Sequence, residues 1–126
     1  MSVDFSWLSN ERGPILKISI IVPNWNGIKF IGMCLDSLAR SDFHSYEVIV
    51  VDNGSVDGSR EMIEEKYPRV RLIKNRENMG FAVACNQGIK AAKGKYISLL
   101  NNDIEVESNW LTKLYEGMER HPECGM

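Results

Sequence analysis

Four short stretches hold most of the side chains that could do chemistry in this 126-residue chain: PNWNG (23–27), DNGSVDGS (52–59), NRENMGF (75–81) and NNDIE (101–105). Each follows an apolar run, and each is crowded with Asn, Asp and Gly. Those residues make turns, because their short side chains bond the local backbone and tolerate tight conformations. Turn chemistry does not ask for a carboxylate where a strand ends, yet Asp52 and Asp103 both stand there. A carboxylate such as Asp103 suits Mg²⁺ or Mn²⁺, which take one or two carboxylates and complete their shells with phosphate oxygens and water. Asn101 or Asn102 could add a carbonyl oxygen or bind a ribose hydroxyl. On residue types alone, a plain turn and a metal ligand both remain open for Asp103.

Other devices are excluded by what the sequence lacks. There is no GxxxxGK[ST] loop, the turn after the first apolar run is PNWNG instead of GxGxxG, and no GxSxG elbow occurs. His44 and His121 read as solvated loop residues, not general bases. Cys34, Cys85 and Cys124 are odd in number and lack CxxC spacing, so neither a disulfide framework nor a zinc site is expected. A net charge of −2 argues against nucleic acid as a partner. No apolar run approaches bilayer length. The opening MSVDFSWLSNERGP lacks a signal-peptide pattern and reads as a loosely ordered leader, residues 1–16. A cytoplasmic setting follows, with membrane association of a longer enzyme left open.

The elements that must position these loops are legible in the hydrophobic pattern. KISIIVP (17–23), YEVIVVD (46–52) and KYISLL (95–100) are β-branched and nearly apolar throughout, as strands covered on both faces should be. RVRLIKN (69–75) alternates and reads as an edge strand. Apolar stripes at helix spacing fall at Ile31, Cys34, Leu35 and Leu38, at Phe81, Ala84, Cys85, Gly88, Ile89 and Ala92, and at Leu111, Leu114 and Met118. A shorter helix around Met62, Ile63 and Tyr67 is expected to start near Ser55 or Asp57 and stop at Pro68. Gly94 suits a helix C-terminus. The order β-α-β-α-β-α-β-α predicts one α/β unit over residues 17–126. It is a Rossmann-like open parallel sheet with helices on both faces and right-handed crossovers. Ligands of such sheets bind outside the carboxyl ends of the strands, where the strand order reverses. With strand order 3-2-1-4, Asp52 and Asp103 flank the tip of the first strand. Two strand steps would separate them by roughly 10 Å, a span suited to the base and phosphates of a nucleotide.

ISIIVPNWNG, VIVVDNGSVDGS and NRENMGFAVACNQGIKAAKGKYISLLNND, in this order, resemble the nucleotide-sugar-binding half of family 2 glycosyltransferases of GT-A fold, most of all the rhamnosyltransferase-type branch. The resemblance covers about Ile18 to Met126. It implies that Asp52 recognises the nucleotide base as acceptor to a ring N–H. Pro23 and Asn24 would line base and ribose, and Gly80 and Phe81 would pass close to the nucleoside. Asp103 matches the last aspartate of a DxD-type motif, a metal ligand to the sugar-nucleotide diphosphate, with Asn102 beside it in the nucleotide site. The motif here reads Asn101-Asn102-Asp103, with an amide at its first acidic position.

The activity so implied is metal-assisted transfer of a sugar from a UDP- or dTDP-sugar to a hydroxyl of a saccharide or lipid-linked acceptor, with inversion, as in polysaccharide biosynthesis. The general base this needs lies, in the family, in the second half of the domain, beyond Met126. No catalytic residue is therefore assigned, and the chain is expected to be a truncated GT-A domain with little or no transfer activity. The alternative is a non-catalytic nucleotide-binding or assembly module that keeps the fold. A receiver-type phosphoacceptor would need an acidic pair after the first strand, which PNWNG lacks. An apolar KYISLL edge would pair with other chains, so a homodimer is expected. Asn53-Gly54 and Asp57-Gly58 read as turn formers, Asn78 as a cap of the third helix, Asn86 as a backbone-bonding residue and Trp110 as core. Trp25 is open between ligand stacking and packing.

Overall fold

The computed structural model describes residues 16–121. Residues 1–15 of the expected leader, Cys124 and most of the ending HPECGM lie outside the described residues. The β-branched runs form β1 (Ile18–Asn24), β2 (Tyr46–Asn53), β3 (Arg71–Asn75) and β4 (Tyr96–Leu99). They alternate with α1 (Ile31–Ala39), α2 (Ser59–Lys66), α3 (Phe81–Ala91) and α4 (Trp110–Arg120). All strand pairings are parallel, in the order β3-β2-β1-β4 expected from the sequence. The alternating run is an edge strand, as its pattern implied.

Two apolar clusters sandwich the sheet. One joins Ile18, Ile20, Val22, Val48 and Val50 to Ile31, Leu35 and Leu38 of α1, Ile63 of α2 and Leu111 of α4. The other joins Ile21, Ile49 and Val51 to Ala84 of α3. Successive strand residues point to opposite faces, so these runs are apolar on both. The chain steps outward through α1 and α2, then returns across β1 through α3. A right-handed return must cross the opposite face, which is why α3 stands alone there. Its expected stripe holds at Ala84, Cys85 and Gly88 and fails at Phe81 and Ile89, both exposed. Trp110 is half-buried against the first cluster. Among the described residues, no helix is long and apolar enough to cross a membrane.

Register opens a gap at the strand tips. β1 pairs with β2 along its whole length, from Ile18↔Tyr46 to Asn24↔Asp52. It pairs with β4 only from Ile18↔Tyr96 to Ile21↔Leu99. The last three residues of β1 thus run past the end of β4, and the chain after Leu100 turns away to leave a cleft beside them.

The opposite end of the sheet is closed by a polar clamp. Ser19, fully buried, donates from Oγ to Glu47 Oε2 at 2.6 Å and accepts the Gly94 N–H at 2.8 Å. Glu47 also takes the Lys93 N–H at 2.7 Å and pairs with Arg71 at 2.6 Å. Gly94 is therefore not the helix C-cap expected of it. The α3 cap is Ala92 in an extended conformation. A Cβ on Gly94 would come within 2.6–2.7 Å of Ser19 N and Ile18 C, so glycine is needed for close approach of two backbones.

Burial pushes the Glu47 carboxyl up, but hydrogen bonds from Ser19, Lys93 and Arg71 outweigh it and hold it below the usual carboxylate range. A depressed carboxyl stabilises the fold above its unfolded pKa, and that stability fades as pH falls through the folded value. Glu47→Gln is expected to cost about 1–3 kcal/mol at neutral pH, read as a lower Tm. The gap to wild type should narrow below about pH 4; a gap unchanged with pH would remove the clamp from this account.

Candidate functional site

The cleft beyond the sheet's carboxyl edge has a volume of about 330 Å³ and is lined by Pro23, Asn24, Trp25, Asn53, Asn78, Phe81, Asn101, Asn102 and Asp103. It lies where the strand order reverses, between the outward path of β1 and the return to β4, the position such sheets use for ligands. Asp103 is exposed and is the only carboxylate in this wall. Trp25 and Phe81 are 56% and 61% exposed, so both present ring surface at the cleft instead of packing in the core. Amides supply most of the remaining polarity.

The loops are cross-braced by side chains. Asn26, with φ of 50°, accepts the Val56 N–H on Oδ1 and donates its own N–H to Ser55 Oγ, both at 2.8 Å. Asp57 accepts the Ile28 N–H at 2.9 Å and the Ser59 N–H at 3.0 Å. Burial raises the Asp57 carboxyl, and the bonds from Ser59 and Ile28 outweigh it to hold it below its ordinary range. Asp57 stands just before the α2 N-cap, Gly58, so the helix starts nearer Asp57 than Ser55, and its carboxylate ties two loops together. Asn53, read from sequence as a turn former, holds the third loop. Its Oδ1 accepts from Met79 N and Asn75 Nδ2, and its Nδ2 donates to Gly80 O at 3.1 Å. Asn75 exchanges a reciprocal amide pair with Gln87 at 2.7 and 2.9 Å, which no sequence pattern announced. Asn78, expected to cap the third helix, stands two residues before its N-cap, Gly80, accepts the Gly80 N–H and also lines the cleft; Asn86 is exposed.

Asp52 occupies a different place from the one its motif implied. It is 0% exposed and is not part of the cleft wall. Its Oδ1 accepts from Asn24 Nδ2 at 3.0 Å and Ser55 Oγ at 2.6 Å, and its Oδ2 accepts the Ser55 N–H at 2.9 Å. The cleft is lined instead by its neighbour Asn53. Pro23, Asn24, Phe81, Asn102 and Asp103 do come together around the cleft. Gly80 contributes its carbonyl to the loop brace and no wall.

Cys34 sits beneath the Asn101 turn, its Sγ 3.8 Å from the Asn101 carbonyl oxygen. Burial, with the nearby Asp103 charge, pushes its thiol up to about 11, so it stays protonated and apolar in character. His44 and His121 are exposed and lie outside the cleft. No group of three or more His, Cys, Asp or Glu that could hold a metal occurs among the described residues. One carboxylate flanked by amide oxygens nevertheless fits Mg²⁺ or Mn²⁺ when phosphate and water complete the shell.

A parallel sheet with an amide-lined cleft at its switch point and one exposed carboxylate defines an open α/β unit with its candidate site at the carboxyl ends of the strands. The sequence model of Glycosyl transferase family 2 matches residues 19–125, and the chain belongs to that family. It is 33% identical over 105 residues to the glycosyltransferase GlyG of Streptococcus pneumoniae, an alignment covering 81% of this chain and 35% of that protein. Its fold superposes on S. aureus TarS 1–349 in complex with UDP-GlcNAc with a TM-score of 0.77 at 28% identity, covering 84% of this chain and 32% of that one. The mannosyltransferase PcManGT of Pyrobaculum calidifontis, in complex with GDP-Man and Mn²⁺, gives a TM-score of 0.75 at 25% identity, covering 81% and 32%. The architecture is thus that of GT-A glycosyltransferases, and the chain spans about a third of the length of these relatives.

Proposed function

We propose that this chain supplies the donor side of a glycosyltransferase centre, binding a nucleoside-diphosphate sugar with a divalent cation held at Asp103. The observation that carries the reading is the single exposed carboxylate, Asp103, at the switch-point cleft, flanked by Asn101 and Asn102. UDP-GlcNAc and GDP-Man in the complexes of related fold support the ligand class, and Mn²⁺ in one of them supports the cation. Pro23, Asn24 and Asn53 would face base and ribose, with Trp25 and Phe81 as apolar walls. Gly80 would keep the third loop close to the nucleoside. Asp52 would act from behind, through Asn24. When bound, Mg²⁺ or Mn²⁺ would neutralise charge on the departing diphosphate. Asp103 and its flanking amides would set where that diphosphate lies.

Displacement at the anomeric carbon with inversion needs a second carboxylate, to take the acceptor hydroxyl's proton. A carboxylate that ligates a cation is poorly placed to do so, and the cleft wall has no other. We assign the base to residues outside those described, and expect the purified chain to bind donor yet transfer no sugar. Product formed from a radiolabelled UDP- or dTDP-sugar with a saccharide acceptor would overturn that assignment. β4 has no partner on its outer side among the described residues, and Leu99 there is 40% exposed. An apolar edge of this kind favours pairing with a second copy; light scattering at high concentration should give a dimer mass, and a monomer would refute it.

The central test is calorimetric titration with UDP, dTDP and GDP, with and without Mn²⁺, beside Asp103→Ala. Metal-dependent binding in the wild type, weakened at least tenfold in the variant, is expected. Binding unaffected by both EDTA and the substitution would remove the cation from this reading, and no binding by any of the three would favour an assembly module that keeps only the fold.

A further inference from the structure

The proton count around Asn24 goes further than the cleft's outline. Asn24 is 1% exposed, and its Nδ2 lies 3.0 Å from Asp52 Oδ1, 3.0 Å from Ser59 Oγ and 3.4 Å from Ser55 Oγ. Each of these three is an acceptor. The Asp52 carboxylate already takes two hydrogen bonds from Ser55. The single hydroxyl proton of Ser55 is committed to Asp52, and that of Ser59 to Asp57 Oδ1 at 2.7 Å. An Asn24 amide turned the other way would set its oxygen against three oxygens with no proton to offer, which a buried group does not tolerate. Its Oδ1 must therefore point away from Asp52, and there it meets Asn102 Nδ2 at 2.9 Å.

The constraint passes on. With its nitrogen held by Asn24, Asn102 has its carbonyl oxygen left over, with no partner among the described residues. Asn102 lines the cleft next to Asp103. Gly27 closes the arrangement sterically: a Cβ there would collide with both Asn24 Oδ1 and Asn102 Nδ2. We infer that a buried relay, Asp52–Asn24–Asn102, turns the Asn102 carbonyl oxygen into the cleft as a fixed ligand oxygen, for a divalent cation or a ligand hydroxyl, and makes Asp52 and Asn24 positioning residues. The relay lets an amide present an oxygen as reliably as a carboxylate would, without a second negative charge. Only the identity of what that oxygen meets rests on the donor-site reading above.

Reversing the relay tests it. In Asn102→Asp the new carboxylate would face the Asn24 oxygen, two acceptors with no proton between them. Asp52→Asn would let Asn24 turn over and offer its nitrogen to position 102. Asn102→Asp alone should lower the ligand-free Tm by about 4 °C or more. Placed on the Asp52→Asn background, it should cost less than half as much, because the reversed relay accepts it. Equal cost on both backgrounds would refute the coupling. Should Asp52→Asn not fold, side-chain amide NMR of the wild type decides: Asn102 amide protons close to Gly27 Hα and Asn24 amide protons close to Ser59 Hβ support the assigned orientation, and the opposite proximities overturn it.

Ligand arms identify the oxygen's target. If it is a cation, Mn²⁺ alone should bind about tenfold more weakly to Asp52→Asn and recover in the double variant. If it is a hydroxyl, preference for UDP over 2′,3′-dideoxy-UDP in EDTA should follow the same pattern. Coupled Tm values with neither ligand pattern would refute the cleft-facing oxygen. A wild type that binds neither probe would sink the donor-site reading, while the Tm cycle or the NMR still decides the relay.

Discussion

Asn24 must satisfy both ends of its amide without water at the point where three strand ends meet, and much of the site's geometry follows from that. Its nitrogen faces a carboxylate oxygen and two hydroxyls whose protons are directed elsewhere, so its oxygen has one way to turn. The second loop thereby dictates the orientation of a residue in the fourth, across the tip of β1. Such a network is favourable only when every member is satisfied, because an unpaired polar group in a low-dielectric interior costs more than one hydrogen bond returns. That requirement gives the cleft a defined polarity before any ligand arrives.

The sheet makes this junction possible through an inequality of length. β1 runs three residues past its last pairing with β4, while β2 accompanies it to the end. One side of the Asn24 tip is therefore walled by Asp52 and the other is open to the Asn102 turn. The Ser19–Glu47–Lys93 clamp holds the opposite end of the same strands, where Gly94 admits two backbones into near contact. Apolar burial on both faces secures the middle. Polar groups thus fix the two ends of a sheet whose centre the hydrophobic effect assembles.

In the donor-site reading proposed above, this polarity has a use. Such a site would present oxygens to a cation and to ligand hydroxyls beside a diphosphate that already carries negative charge. Clustered carboxylates would repel that charge when no cation is present. A cleft lined with oriented amides and a single carboxylate avoids much of the repulsion. Trp25 and Phe81 keep ring surface at the same cleft although neither lies deep in the core. The protonated Cys34 below the Asn101 turn supports the loop as a small apolar group and takes no part in ionic chemistry.

Much of this was legible in the residues themselves. Three nearly apolar β-branched runs and one alternating run, separated by helical stripes, imply a parallel sheet, because strands covered on both faces lose their polar alternation. Handedness then sends the returning helix to the opposite face, and polar residues behind each strand mark the cleft. The roles of individual side chains were not legible, since the amides and carboxylates that brace the site take their meaning largely from partners on other loops. Asp52 reads as a ligand contact in its motif, yet its buried pairing with Asn24 and Ser55 turns it into a support. Asn53 reads as a turn former and becomes the brace of the third loop. Gly94 reads as a helix cap and proves to be a spacing requirement against the Ile18–Ser19 backbone. Residue types along the chain determined which elements form and where polar groups collect. Tertiary structure alone decided which way each amide points, because orientation depends on where every neighbouring proton has already gone.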